Sequence, residues 1–261
     1  MKPEKLQSHV SKQIAEIKDN AVQILDGDAV DAVHEFRVAY KKLRTLLRLS
    51  GVIEDAEKSR TIRKIKAIYR VAGELRDLQL YRAMILSYYF DGHALSIKYP
   101  DALNKKKDLL IHRLHQLISD DSIDLHSSAL DPLLQEPLSQ KTIRAFIDGQ
   151  LHSIYDILNG KLTDSDIHVI RKYFKDVYYC LAYLRETRKS ESYIKKEKKI
   201  EALNHALGEF VDTCTMQCFL GTDITSSWPA EELRILGHVD QHLLVHKELQ
   251  KQHIEKLLRH V

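Results

Sequence analysis

Shifted along itself by 134 residues, the first half of this 261-residue chain sets Val33-His34, Arg37, Tyr40 and Lys41 on Ile167-His168, Arg171, Phe174 and Lys175. A shift of 135 then sets Arg60, Arg63, Ala67, Arg70, Gly73, Glu74 and Asp77 on Lys195, Lys198, Ala202, His205, Gly208, Glu209 and Asp212. Apolar periods align easily between long helices. Basic, small and acidic classes that coincide in one order do not. A repeat of this kind confines the chain to two similar units built from the same elements.

Those elements are predicted to be helices. Only 9 glycines and 5 prolines interrupt a chain rich in Leu, Ile, Lys and Glu. Eight helical segments are expected, at about 3–25, 29–49, 55–90, 101–119, 140–158, 164–186, 190–220 and 229–259. Asp28 is placed to cap the second and Gly51 to end it. Asp120-Asp121-Ser122, Ser127-Ser128, Pro132 and Pro137 make residues 119–140 the best break in the chain. The expected fold class is all-α: two pseudo-symmetric four-helix halves, 1–122 and 138–261, with 123–137 as linker.

The stretch Val33–Arg48 carries the clue to function. As a helix it aligns His34, Arg37, Lys41, Arg44 and Arg48 on one stripe, with Glu35 the sole acid inside it. Val33, Phe36, Tyr40, Leu43 and Leu47 form an apolar stripe beside it. The next helix adds Arg60, Arg63 and Arg70. The second half offers His168, Arg171 and Lys175, then Lys195, Lys198 and His205. Like charges one turn apart destabilise a helix by about 0.2–0.5 kcal/mol per pair, and a solvated charged face usually mixes signs. Net charge is only +3, so this accumulation is local. Arg forks onto phosphate oxygens and Lys adds a mobile point charge. A row of them suits a ligand of repeated negative charge better than one small phosphate.

Gly27-Asp28, Val33-His34-Glu35-Phe36-Arg37-Val38, Lys41-Lys42-Leu43-Arg44 and Leu75-Arg76-Asp77-Leu78 resemble the signature of the CHAD family, the conserved histidine α-helical domain. Ile167-His168 with Arg171 and Lys175, and Gly208 with Asp212, resemble its degenerate second copy. The resemblance covers almost the whole chain. It implies paired four-helix bundles around a basic groove or pore, and binding of inorganic polyphosphate without catalysis, with polyphosphate granules and their proteins as associates. It places His34, Arg37, Lys41, Arg44, His168, Arg171 and Lys175 on the basic surface. Arg48, Arg60, Arg63, Arg70, Lys195 and Lys198 extend that surface by the stripe and repeat pattern. Asp176, Tyr178 and Val211 stand at the positions of Lys42, Arg44 and Arg76, so the second half is expected to hold anions more weakly.

An anion beside His34 or His168 would favour the protonated ring, so tighter binding is expected below about pH 6.5. Asp77 and Asp212 are read as ion-pair or packing residues behind the stripes. His238, His242 and His246 recur at steps of four but lack the rest of a metal site, and are read as a polar face that could extend the basic surface with Arg234. Cys180, Cys214 and Cys218 show no Cys-x-x-Cys spacing, and the last two are expected in the core. No P-loop, dinucleotide turn or nucleophile elbow is present. No cofactor, metal or membrane is expected, and the location is expected to be cytoplasmic. The alternatives are a nucleic-acid binder, a helical scaffold for a granule protein, and a metal-dependent phosphohydrolase. Aromatics are not interleaved with the basic stripes, which disfavours base stacking.

Overall fold

The computed structural model describes residues 1–25, 30–90, 98–119, 130–185, 191–223 and 230–259; the side chains of 87–90, 98–100, 184–185, 191–198, 222–223 and 232 also lie outside the description. The described residues are helical, without a strand. In order they form α1 (Pro3–Leu25), α2 (Val30–Leu49), α3 (Ile53–Lys58), α4 (Arg60–Phe90), α5 (Lys98–Ser119), α6 (Gln140–Leu158), α7 (Asp164–Arg185), α8 (Glu191–Asp223) and α9 (Ala230–Leu258). A short 3-10 turn, Asp131–Leu133, precedes α6. No described helix is long and apolar enough to cross a membrane.

Local chemistry explains the boundaries. Gly51 takes φ +72°, a conformation glycine adopts without penalty. It lets the Val52 N–H reach back to the Leu47 carbonyl at 3.0 Å and so closes α2. The Asp28 cap expected at the other end lies outside the described residues. The single helix expected over 55–90 is two helices, because Ser59 is extended (φ −67°, ψ 144°) between α3 and α4. Its Oγ accepts the Ile62 N–H at 3.2 Å, a donor that the first turn of α4 leaves unsatisfied. Ala56 and Ile62 are both buried across the break, so the apolar period runs on and hides it.

The chain forms two compact units from discontinuous stretches: unit 1 is Met1–Arg76 with Lys106–Gly149, and unit 2 is Asp77–Lys105 with Gln150–Val261. In unit 1, α1 lies along α2. Leu6, Val10, Ile14 and Ile17 of α1, Phe36, Leu43 and Leu47 of α2, and Ile62, Ile65 and Ile68 of α4 are buried in it. The described part of the stretch read as a linker also packs. Leu130, Leu134 and Leu138 are buried. The Leu138 N–H donates to the Met1 carbonyl at 3.0 Å, and the Met1 ammonium donates to the Leu138 carbonyl. In unit 2, Ile154 of α6, Ile167, Ile170 and Phe174 of α7, Leu203, Leu207 and Phe210 of α8, and Ile254 of α9 share one core. Four helices around one apolar core is the arrangement of a four-helix bundle.

Candidate functional site

In unit 1 the rotation of α2 is set by its apolar stripe. Burying Val33, Phe36, Tyr40, Leu43 and Leu47 leaves His34 and Arg44 exposed and Arg37, Lys41 and Arg48 half-buried. Arg37 crosses to α4. Its Nη1 donates to the Tyr69 carbonyl at 3.3 Å, and its guanidinium carbon stands 4.8 Å from the centre of the Tyr69 ring. The Tyr69 ring in turn meets Tyr40 of α2, with centroids 4.5 Å apart.

Electrostatics shows which cations gather. The His34 imidazole is pushed below its ordinary value of 6.5, first by burial and then by the charge of Arg76; Lys41 and Arg37 add to the effect and Glu35 opposes it. The Tyr40 phenol is pushed up to about 12 by burial, against the charge of Arg44; Glu57 and Tyr69 add to the rise and Arg70 opposes it. His34 thus has Arg37, Lys41 and Arg76 near it, with Glu35, and Tyr40 has Arg44 and Arg70, with Glu57. Among the described residues, no carboxylate pairs with Arg37, Arg44, Arg70 or Arg76. Arg76 was visible in the sequence only as part of the Leu75–Leu78 motif. Its approach to His34 needs the packing of two helices, which no period encodes.

Two groups of sequence-predicted cations are not among these. Arg48 turns to α6, its guanidinium carbon 5.9 Å from the centre of the Phe146 ring. Arg60 and Arg63 are exposed on the first turn of α4, about 10–15 Å along the helix from Arg70 at about 1.5 Å per residue.

Unit 2 repeats the theme with fewer cations. The His168 imidazole is pushed below its ordinary 6.5 by burial, then by Lys172 and Arg171. The Lys175 ammonium is pushed down to about 8 by burial and by Arg171, against the pull of Asp212 from α8. Its Nζ stands 5.8 and 5.6 Å from the ring centres of Tyr178 and Tyr179. Asp212 thus lies near enough to act on the Lys175 charge. The His205 imidazole lies 3.3 Å from the Glu209 carboxylate, so this counterpart of Arg70 carries its own acid. Lys195 and Lys198 lie on α8, but their side chains are outside the described residues.

The base of α7 is tied to α9. Asp164 takes Lys247 at 3.0 Å and Lys251 at 3.2 Å. Its carboxyl is held below the ordinary range by those two lysines, which outweigh burial. His238, His242 and His246 are exposed on α9, the last two with ring centroids 6.2 Å apart. Among the described residues no group of His, Cys, Asp and Glu could hold a metal. Arg234, considered above as an extension of the basic surface, is clasped by Glu231 at 2.6 Å. Cys180 is buried and Cys214 half-buried, whereas Cys218 is exposed rather than in the core. Burial pushes the Cys214 thiol up to about 11, so it is protonated at neutral pH.

Lys175 gives a prediction for stability. Its folded value lies below the ordinary 10.5, so folding disfavours the charged form. The resulting cost is fully present below about pH 8 and is relieved as pH rises from there towards 10.5. Replacing Lys175 by Met should therefore stabilise the protein at pH 7 by about 1 kcal/mol, and the gap to wild type should narrow above pH 8. Urea unfolding at pH 7 and pH 10 reads both.

A family model described as the CHAD domain matches residues 8–221. The crystal structure of the CHAD domain from the plant Ricinus communis aligns with a TM-score of 0.78 at 17% identity, over 99% of this chain and 92% of that one. The structure of PptA from Streptomyces chartreusis aligns with a TM-score of 0.69 at 11% identity, over 99% of both chains. At these identities the likeness to the two structures concerns the fold. No curated protein matches the chain.

Proposed function

The chain belongs to the CHAD family, and from that premise we propose that it binds inorganic polyphosphate and performs no chemistry on it. The observation that carries this reading is the cationic face of unit 1. His34 feels Arg76, Lys41 and Arg37 against one carboxylate, Glu35, while Arg37, Arg44, Arg70 and Arg76 have no carboxylate partner among the described residues. Guanidinium groups gathered without a carboxylate partner repel one another. A linear polyanion supplies the missing charge at regular intervals, and forked Arg donors match its charged non-bridging oxygens. Hydrolysis asks for metal-binding carboxylates facing the phosphates, and the side chains of this face are donors. Unit 2 grips less strongly, because His205 is engaged by Glu209 and the half-buried Lys175 feels Asp212. A cytoplasmic location and attachment to polyphosphate granules belong with the same reading.

Nucleic acid is the less favoured ligand. Single-strand binders stack bases on free aromatic faces, and here the Tyr69 ring is covered by Arg37 while Tyr40 is buried. Competition at matched charge and salt separates the two. Polyphosphate should displace labelled single- and double-stranded DNA, and DNA should not displace polyphosphate. The reverse order would overturn the assignment.

The sign of the pH dependence follows from the histidines. In the free protein His34 and His168 lie below 6.5. A bound polyanion offsets the neighbouring cations and raises both, so binding takes up protons. Affinity should weaken as pH rises through the bound-state values and level off below the free-state values, which places the plateau lower than an unperturbed histidine would. Isothermal titration from pH 5.5 to 8 at constant ionic strength measures this. A flat curve would remove both histidines from the site.

A further inference from the structure

We infer that Gly73 is the residue that seats Arg37, and that this seat, which Gly208 does not give Arg171, makes unit 1 the stronger anion site of the two. This rests on the polyanion reading above and names a residue which that reading does not require. Gly73 is buried in the interior of α4, where glycine is otherwise an unfavourable choice. A Cβ built there would overlap Arg37 Nη1 and stand 3.4 Å from Arg37 Cζ and 3.7 Å from Nη2. The guanidinium therefore occupies the space that any other residue at 73 would fill.

Helix geometry explains why the vacancy falls at this position. A helical side chain leans towards the N-terminus and covers the turn before it. A residue at 73 would cover the carbonyl of Tyr69, one turn back. With glycine there, Arg37 Nη1 reaches that carbonyl at 3.3 Å and the guanidinium rests against the Tyr69 ring. One of its five N–H donors is spent on Tyr69, and the plane is fixed for phosphate oxygens to meet the others.

The second copy keeps the glycine and loses the fit. Arg171 Nη2 stands 3.9 Å from a Cβ built at Gly208, ordinary contact distance. Asn204 replaces Tyr69 in the repeat, and the buried Arg171 Nε has no hydrogen-bond partner among the described residues. Alanine fits at 208 as the chain stands, and at 73 only if the Arg37 guanidinium swings aside.

The test is a cycle of Gly73→Ala, Arg37→Ala and the two combined, with Gly208→Ala alongside. Each is titrated with long-chain polyphosphate across a salt series and melted without ligand. Gly73→Ala should lower affinity about tenfold and reduce the salt slope by about one charge, as Arg37→Ala does. Added to Arg37→Ala, it should cost no further affinity, and Gly208→Ala should bind as wild type. If Gly73→Ala alone does not fold, the double variant should fold, since the side chain it collides with is gone. Wild-type affinity in Gly73→Ala would overturn the inference. So would an equal loss on either Arg37 background, or a double variant that also fails to fold. Wild type that ignores polyphosphate would instead overturn the polyanion reading. Melting curves alone would then decide the seating claim, because Gly73→Ala must be more favourable to stability on the Arg37→Ala background than on wild type.

Discussion

Replacing Arg37 and Arg44 together by alanine should weaken polyphosphate binding about a hundredfold, at about tenfold for each hydrogen-bonding charge removed. The slope of log affinity against log salt should fall by about two charges in the same variant. Both side chains lie on the face that His34 and Tyr40 report. Neither supports the fold strongly. Arg44 is exposed, and Arg37 gives the protein one hydrogen bond of 3.3 Å and a contact with one ring. The melting temperature should therefore move by only a few degrees. A folded double variant that binds like wild type would show that the α2 stripe does not hold the ligand.

Phe36→Ala should have the largest effect on stability. Phe36 is fully buried, one residue before Arg37 and on the opposite side of the same stripe boundary. Emptying such a site costs about 3–5 kcal/mol, a large share of the roughly 5–15 kcal/mol that holds a typical protein folded. Urea unfolding should show a lower midpoint with an unchanged slope. Phe174→Ala, in the core of α7, should behave alike, since Phe174 is equally enclosed in the other unit. A loss below about 1 kcal/mol at either site would place that side chain outside a well-packed core.

Much of the fold was legible because helices write their buried face into the sequence. The apolar stripe Val33, Phe36, Tyr40, Leu43 and Leu47 is buried throughout, and Gly51 ends α2 in the expected conformation. What the sequence hid has physical causes. The break at Ser59 turns on one hydroxyl satisfying one amide, and the apolar period passes through it undisturbed. Pro132 and Pro137 made their surroundings look like a bare connector, although Leu130, Leu134 and Leu138 recur at steps of four and are buried. For the site, a stripe tells which cations share a helix face and nothing about which helix lies opposite. Arg76 meets His34 and Arg37 meets Gly73 only through the packing of α4 on α2. Arg48 shares the stripe and yet turns to Phe146, because a long side chain at the end of a helix follows its neighbours.

The central claim is that Arg37, Arg44, Arg70 and Arg76, which pair with no carboxylate among the described residues, await a polymeric anion. Titration of the wild-type protein with long-chain polyphosphate between about 50 and 300 mM salt tests it most directly. About four to six phosphate contacts should make log affinity fall linearly with log salt, with a slope of about −3 to −4. Folded protein whose affinity does not change over that range, or that shows no binding at the lowest salt, would contradict the account.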